Sequence, residues 1–246
     1  MGNEIVTKAL VLHEMPIGDY DKRLILLTKD YGKITAFAKG AKKSKSKLLA
    51  GSQVFCYGDF HIYKGKNTYN VNQVILIEPF HNLRKSIDAL TYGLYILEFI
   101  EFISVENNTD HEIMKLVLKT LKQLELGHID LELIVKIFEL KAMSYMGLSP
   151  WVTNCIICNS TENLNFFNSK DGGILCDECM NDKNAILINK GTQYTLEYIL
   201  EYPIEQLFKF ELDHVTFDQF KLVMKQFIDY NLNKKFKTLD FLKLEY

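Results

Sequence analysis

Two groups of residues in this 246-residue chain have the types and spacing to do chemistry. The first is four cysteines, Cys155, Cys158, Cys176 and Cys179, arranged as CIIC and CDEC with 17 residues between the pairs. A Cys-x-x-Cys turn aims two sulfurs at one cation, and two such turns facing each other complete a tetrahedron; the spacing is that of a zinc site. Two disulfides would need an oxidising compartment, and the N-terminus MGNEIVTKALVL lacks the basic start and small-residue cleavage site of a secretory signal. Redox Cys-x-x-Cys chemistry is expected beside a βαβ pattern, and none precedes either pair. One zinc per chain held by four thiolates leaves no coordination position for water, so the expected metal is structural. Cys56 stands apart, in an expected strand, as a small buried hydrophobe.

The second group is basic. Within residues 37–48, FAKGAKKSKSKL, the side chains of Lys39, Lys42, Lys43, Lys45 and Lys47 supply five positive charges and no acid, interleaved with Gly and Ser that let a backbone come close to a phosphate. A lysine-rich loop is commonly just solvated, and a short basic tract can also serve as a nuclear-localisation signal, although here it lies between folded flanks. Its context argues for a polyanion: residues 1–80 carry 12 Lys and Arg against 7 Asp and Glu, whereas residues 81–246 carry 17 against 24. The formal net charge of −2 hides a basic front and an acidic back.

The elements that must position these groups fall into two regimes. Up to residue 80, short apolar runs rich in Val, Ile, Tyr and Phe predict strands over 5–12, 23–28, 33–38, 53–63 and 68–78. Asp30-Tyr31-Gly32 and Gly65-Lys66-Asn67 supply hairpin turns. Five strands with a long third connection fit a closed OB-fold barrel, with an SH3-like barrel as the alternative. The lysine stretch is that connection. In an OB-like barrel it lies beside the groove across strands two and three, where Lys22, Arg23 and Lys33 would join it and Tyr20, Tyr31 and Phe37 are candidates for stacking on bases or for barrel packing. After Pro79 the period becomes helical, over 83–104, 110–126, 131–146, 192–202, 216–230 and 237–244. Thr109-Asp110-His111-Glu112 and Thr216-Phe217-Asp218-Gln219 have capping-box spacing, Gly127 and Gly147 stand at C′ positions, and Gly172 and Gly173 are expected to free the turn of the second cysteine pair, with Asn159 after the first. The fold class is therefore α+β and multidomain: residues 1–80 an OB-fold nucleic-acid-binding domain, 81–246 a helical domain, and 151–190 a zinc-binding insert within it.

Several classes are excluded or disfavoured. No uninterrupted apolar run reaches membrane-spanning length. Val6 breaks the myristoylation motif that Gly2 would begin. The histidines at 13, 61, 81, 111, 128 and 214 lack ligand spacing, against a zinc hydrolase, and no phosphate-loop or HExxH motif occurs, so no enzyme is expected.

The N-terminal string KALVLHEMPIGDYDKRLILLTKDYGKITAFAKGAKKSKSKL, the helical region with its four-cysteine insert and the C-terminal FKTLDFLKL together resemble the RecO family of bacterial DNA repair and recombination mediators over essentially the whole chain. Most specific is LLTKDYGKITAFAKGAKKSKSKL, similar to the family's Thr, aromatic, Gly-Lys and small-residue basic loop. The resemblance implies an OB-fold, a helical bundle with a zinc module, binding of single- and double-stranded DNA, annealing of complementary strands and, with RecR, assistance to RecA in displacing single-strand-binding protein. It implies a cytoplasmic, nucleoid-associated location. It puts the DNA-contacting role on Lys22, Arg23, Lys39, Lys42, Lys43, Lys45 and Lys47, and the metal on Cys155, Cys158, Cys176 and Cys179. After the first strand Gly18-Asp19-Tyr20-Asp21 departs from the family's Glu-Ser-Asp type of turn, to which no role is assigned. Some members lack the cysteines, which fits a structural metal. A zinc-stabilised protein-interaction scaffold without direct DNA binding is the alternative, suggested by the acidic rear portion.

Overall fold

A computed structural model of the chain describes residues 3–66, 68–106 and 108–242. Five strands, β1 (Asn3–Ile17), β2 (Asp21–Thr28), β3 (Gly32–Ala38), β4 (Tyr57–Lys64) and β5 (Tyr69–Glu78), close into a ring in the order β1-β2-β3-β5-β4. All neighbours are antiparallel except β3 and β5, whose short parallel seam pairs Ala36 with Tyr69 and Phe37 with Asn70. That order is the expected OB barrel.

β1 is longer than its apolar run because it serves two neighbours. Asn3 to Leu10 pair with β4, while Ala9 to Ile17 pair with β2, and a bulge between Val11 and His13 bends the strand from one sheet direction into the other. From His13 to Ile17 every residue but half-buried Glu14 is exposed, which hides this end of the strand from an apolar-run criterion. β4, conversely, starts at Tyr57 and not at residue 53. Residues 53–56 form turns, with Phe55 at φ 74°, and Cys56 is buried just before the strand, its Sγ donating to the Ala50 carbonyl at 3.1 Å. Alternation along β2 and β3 sends Leu24, Leu26, Ile34, Ala36 and Ala38 inward to meet Ala9, Phe60, Ile62 and Val71.

The helices are α1 (Ile87–Ile103), α2 (His111–Leu126), α3 (Leu131–Tyr145), α4 (Lys190–Glu201), α5 (His214–Asn231) and α6 (Lys237–Leu242). The expected first helix is divided: His81–Lys85 is a separate 3-10 turn, and Ser86 caps α1 by accepting from Ala89 N. The caps of α2 and α5 are also shifted. Asp110, not Thr109, accepts from Glu112 N and Ile113 N. α5 starts at His214 because Asp213 accepts from Thr216 N, placing Thr216 inside the first turn. Gly127 and Gly147 do take positive φ, 63° and 78°, beyond α2 and α3.

The chain groups into two compact units, Met1–Glu125 with Phe236–Tyr246, and Leu126–Lys235. The element type changes at residue 80, but α1 and α2 group with the barrel, and so does α6. Phe236 packs against Tyr95, Phe99 and Phe102 of α1, and the Glu98 carboxylate accepts from Lys237 N, Thr238 N and Thr238 Oγ1. In the second unit α3, α4 and α5 pack on one another, and α5 also meets a three-stranded sheet in the order β7 (Gly173–Leu175), β6 (Phe166–Asn168), β8 (Ile186–Leu187), where Phe227 packs on Phe167. Lys141 of α3 is buried with its ammonium donating to the carbonyls of Ile199, Leu200 and Tyr202 at 2.8 to 3.0 Å, satisfying the last turn of α4. Among the described residues, no helix is long and apolar enough to cross a membrane.

Candidate nucleic-acid interface and metal centre

The connection between β3 and β4 is ordered by its own turns. Lys43 N bonds Gly40 O, Ser46 N bonds Lys43 O, Leu49 N bonds Ser46 O and Ser52 N bonds Leu48 O. Ala41 and Leu48 are pegged into the barrel core, so the lysines between them are held from beneath. Lys39, Lys42, Lys43, Lys45 and Lys47 are all exposed. Their loop is tied to the β1–β2 turn: Gly40 N donates to Asp21 Oδ1 at 2.7 Å, Lys42 N to Tyr20 O at 2.9 Å, and Lys42 Nζ to Gly18 O at 3.5 Å. Gly40 lies at φ 65°, where an L side chain would strain the junction. Lys43 Nζ sits 5.3 Å from the centre of the Tyr20 ring, which is 56% exposed. The Gly18–Asp21 turn thus anchors the basic loop, a link no sequence motif announced. The available signal was only that an acid in a two-stranded turn faces a glycine in the next connection.

The other basic residues separate by strand alternation. Arg23 points to the outer face opposite Phe37 across β2–β3, its guanidinium 3.3 Å from the Met15 sulfur. Lys22, one residue earlier, points the other way. Its side chain is 14% exposed, forms an ion pair with Glu14 and reaches the Ser52 carbonyl at 3.4 Å. Lys33 Nζ donates to the Glu101 carbonyl at the end of α1 at 2.6 Å. Tyr31 packs partly buried against the barrel core, with Lys64 over its ring at 5.6 Å. Phe37 is half-buried on the outer face. The exposed set at this end of the barrel is therefore the five loop lysines and Tyr20, with Arg23 half-buried on the outer face beside them and Ile17 and Met15 flanking.

In the second unit the four cysteines converge, with their sulfurs all within 4.8 Å of one another. The Cys158 and Cys176 sulfurs are 3.6 Å apart, close to the roughly 3.8 Å edge of a tetrahedron with Zn–S bonds of about 2.3 Å. Each pair has a knuckle's backbone. Asn159 N bonds Cys155 O with Asn159 at φ 62°, and Cys179 N and Met180 N both bond Cys176 O. Gly172 and Gly173 serve elsewhere than the second knuckle. Gly172, at φ 71°, turns the β6–β7 hairpin, whereas Gly173 lets strands approach, since a Cβ there would lie 2.5 Å from Ile156 and 2.6 Å from the Trp151 carbonyl. Burial works against ionising Cys155, but the N–H groups of Cys158, Cys176 and Ile157 prevail and bring it down to about 6. Hydrogen bonds to the Cys158 and Cys176 sulfurs push Cys179 up to about 12. Four sulfurs so close cannot all be thiolates without a cation among them. The donor set and its geometry fit a tetrahedral metal ion, and no cysteine of the described residues is in a disulfide.

An OB barrel presenting a basic loop, followed in the chain by helices and a four-cysteine cluster that could hold a metal ion, defines the class of protein to which the chain is compared. The chain matches the family models "Recombination protein O N terminal" over residues 1–80 and "Recombination protein O C terminal" over residues 84–240. It is 38% identical to a DNA repair protein RecO of Alkaliphilus metalliredigens over 97% of this chain and 98% of that one. It is 35% identical to a RecO of Acetivibrio thermocellus over 98% and 97%, and 32% identical to one of Clostridium novyi over 95% and 91%. The chain belongs to the RecO family of DNA repair proteins.

Proposed function

We propose that the barrel end carrying Arg23, Lys39, Lys42, Lys43, Lys45, Lys47 and Tyr20 binds DNA without regard to sequence. The exposed loop lysines, fixed in place by Ala41, Leu48 and the Asp21–Gly40 bond, carry this reading. They supply phosphate contacts, while Tyr20 supports stacking on an unpaired base. Lys22 acts as a structural cation at the root of the site, neutralised by Glu14. By holding two strands against one positive surface the protein anneals complementary single strands and binds duplex, and it does so without covalent chemistry. We place it, with RecR, in the loading of RecA onto DNA covered by single-strand-binding protein, in the bacterial cytoplasm. The cysteines hold zinc, whose part is to cross-link the 151–190 segment; four thiolate ligands leave no site for substrate.

The test is a salt series on a labelled single strand. Affinity should fall with log[salt] at a slope near −0.7 per phosphate contacted. Lys42→Ala combined with Lys43→Ala should make that slope shallower by about one to two units and weaken single strand and duplex alike. An unchanged slope and affinity would move DNA binding off this loop.

A further inference from the structure

In the second unit, α4 carries a tyrosine every fourth residue, so that Tyr194, Tyr198 and Tyr202, the last just past the helix end, share one face. Tyr198 and Tyr202 stack at 4.2 Å between ring centres, Tyr194 follows at 6.1 Å, and Phe210 meets Tyr198 edge-on at 5.2 Å. The ladder is open: Tyr194 is 62% exposed and Tyr202 is exposed too. Beside it lies a cavity of about 290 Å³ lined by Tyr194, Tyr198, Phe210 and Leu212, with Glu211 and Asp213 at its border. This is room for one large side chain, not for a cofactor.

Two carboxylates, Glu211 and Asp213, and no lysine or arginine line the cavity. Residues 191–213 contain Glu197, Glu201, Glu205, Glu211 and Asp213, with Lys209 as their single basic residue. None of these acids is in an ion pair among the described residues. Hydrogen bonds from the Thr216 hydroxyl and N–H hold the Asp213 carboxyl below the usual carboxylate range. Aromatic faces beside unpaired carboxylates complement a flat cation, which can stack on a tyrosine while donating in the same plane to an acid. A guanidinium has that shape; a phosphate backbone would be repelled, and an aliphatic guest would leave the Glu211 carboxylate without a cation. We propose that this cavity receives an arginine side chain from a basic segment of a partner protein, with the tyrosine ladder extending the contact along α4. The site is independent of the basic loop of the barrel and does not rest on its binding DNA.

The probe is a fluorescein-labelled acetyl-Gly-Arg-Gly-Arg-Gly peptide titrated with the full-length protein and followed by anisotropy. Saturable binding is expected, with Tyr194→Ala and Glu211→Gln each weakening it about threefold to tenfold. The peptide with citrulline in place of arginine should not bind, and Glu162→Gln, which removes an acid away from the cavity, should leave affinity unchanged. Both altered residues are exposed, so thermal unfolding should match the parent and loss of binding cannot be laid to loss of fold. The proposal falls if the arginine peptide shows no saturable binding, if citrulline binds as well, or if Glu162→Gln weakens binding as much as Glu211→Gln, which would make it a net-charge effect. It falls equally if Tyr194→Ala weakens binding of oligo(dT) while sparing the peptide, since the ladder would then be a platform for bases.

Discussion

Lys22 and Arg23 are neighbours in sequence and of one charge, yet the pleat of β2 gives them opposite surroundings. Arg23 stands on the outer face with Phe37, whereas Lys22 is folded back onto Glu14. Composition cannot make that distinction; only the register of β1 against β2, which sets Glu14 diagonal to Lys22, does so. Arg23→Ala should weaken single-strand binding and make the salt slope shallower by roughly one phosphate. Lys22→Ala should leave the slope alone and lower stability by on the order of 1 kcal/mol, since Glu14 loses its partner. Equal effects of the two variants on the salt slope would contradict the separation. Asp21→Ala, which removes the acceptor for Gly40 N, should reduce affinity without removing a cation. Its signature is a weaker complex at an unchanged slope.

At the scale of elements, periodicity exposed the five barrel strands and most helices, because alternation and 3.6-residue spacing follow directly from which face is buried, but the two- and three-residue strands β6, β7 and β8 are too short to show a period. It failed where a segment changes partner or is held by tertiary contacts. β1 runs on to Ile17 through a solvated half that only its pairing with β2 defines, and the β3–β4 connection is ordered through Ala41 and Leu48 although it reads as a solvated lysine run. The cysteine cluster was legible because ligand spacing is a local property. The caps were half legible, since acceptor residues cluster at helix starts and spacing does not say which one is used. In α4 it is Asn189, whose Oδ1 accepts from Thr192 N at 2.7 Å, so Asn189→Ala should cost about 1 kcal/mol by denaturant unfolding. At the C-terminal end Lys141 bonds three carbonyls of α4, and Lys141→Met should cost roughly 3 kcal/mol, because buried carbonyls lose a charged donor. At the start of α5 the sign with pH is fixed by Asp213, whose carboxyl is held low by Thr216. Its contribution is present above the ordinary carboxylate pKa and is lost as pH falls through the depressed one, whereas Asp213→Asn keeps an acceptor and should remove that acid-side loss.

Over the whole molecule, charge and chain path assign different work to the two units. The basic residues of the amino-terminal region lie with the barrel, and the four clustered cysteines lie within Leu126–Lys235. The return of the chain at Phe236 to pack on α1 was invisible in the sequence, where FKTLD reads as one more short amphipathic helix. Metal removal separates the two contributions, because the chain contains a single tryptophan, Trp151, and it belongs to the cysteine module. Its indole N–H donates to Asn154 Oδ1 at 2.5 Å, and its backbone pairs with Gly172 and Ile174 beside the first knuckle. A structural metal held by four thiolates contributes on the order of 10 kcal/mol to local folding, far more than three short strands supply without it. Chelation under reducing conditions should therefore shift Trp151 fluorescence to the red and release one zinc per chain. The barrel holds its shape through its own closed core, so binding of a labelled single strand should persist with its salt slope intact. Loss of DNA binding in step with the tryptophan signal would mean that the barrel does not bind alone and that the metal module forms part of the nucleic-acid site.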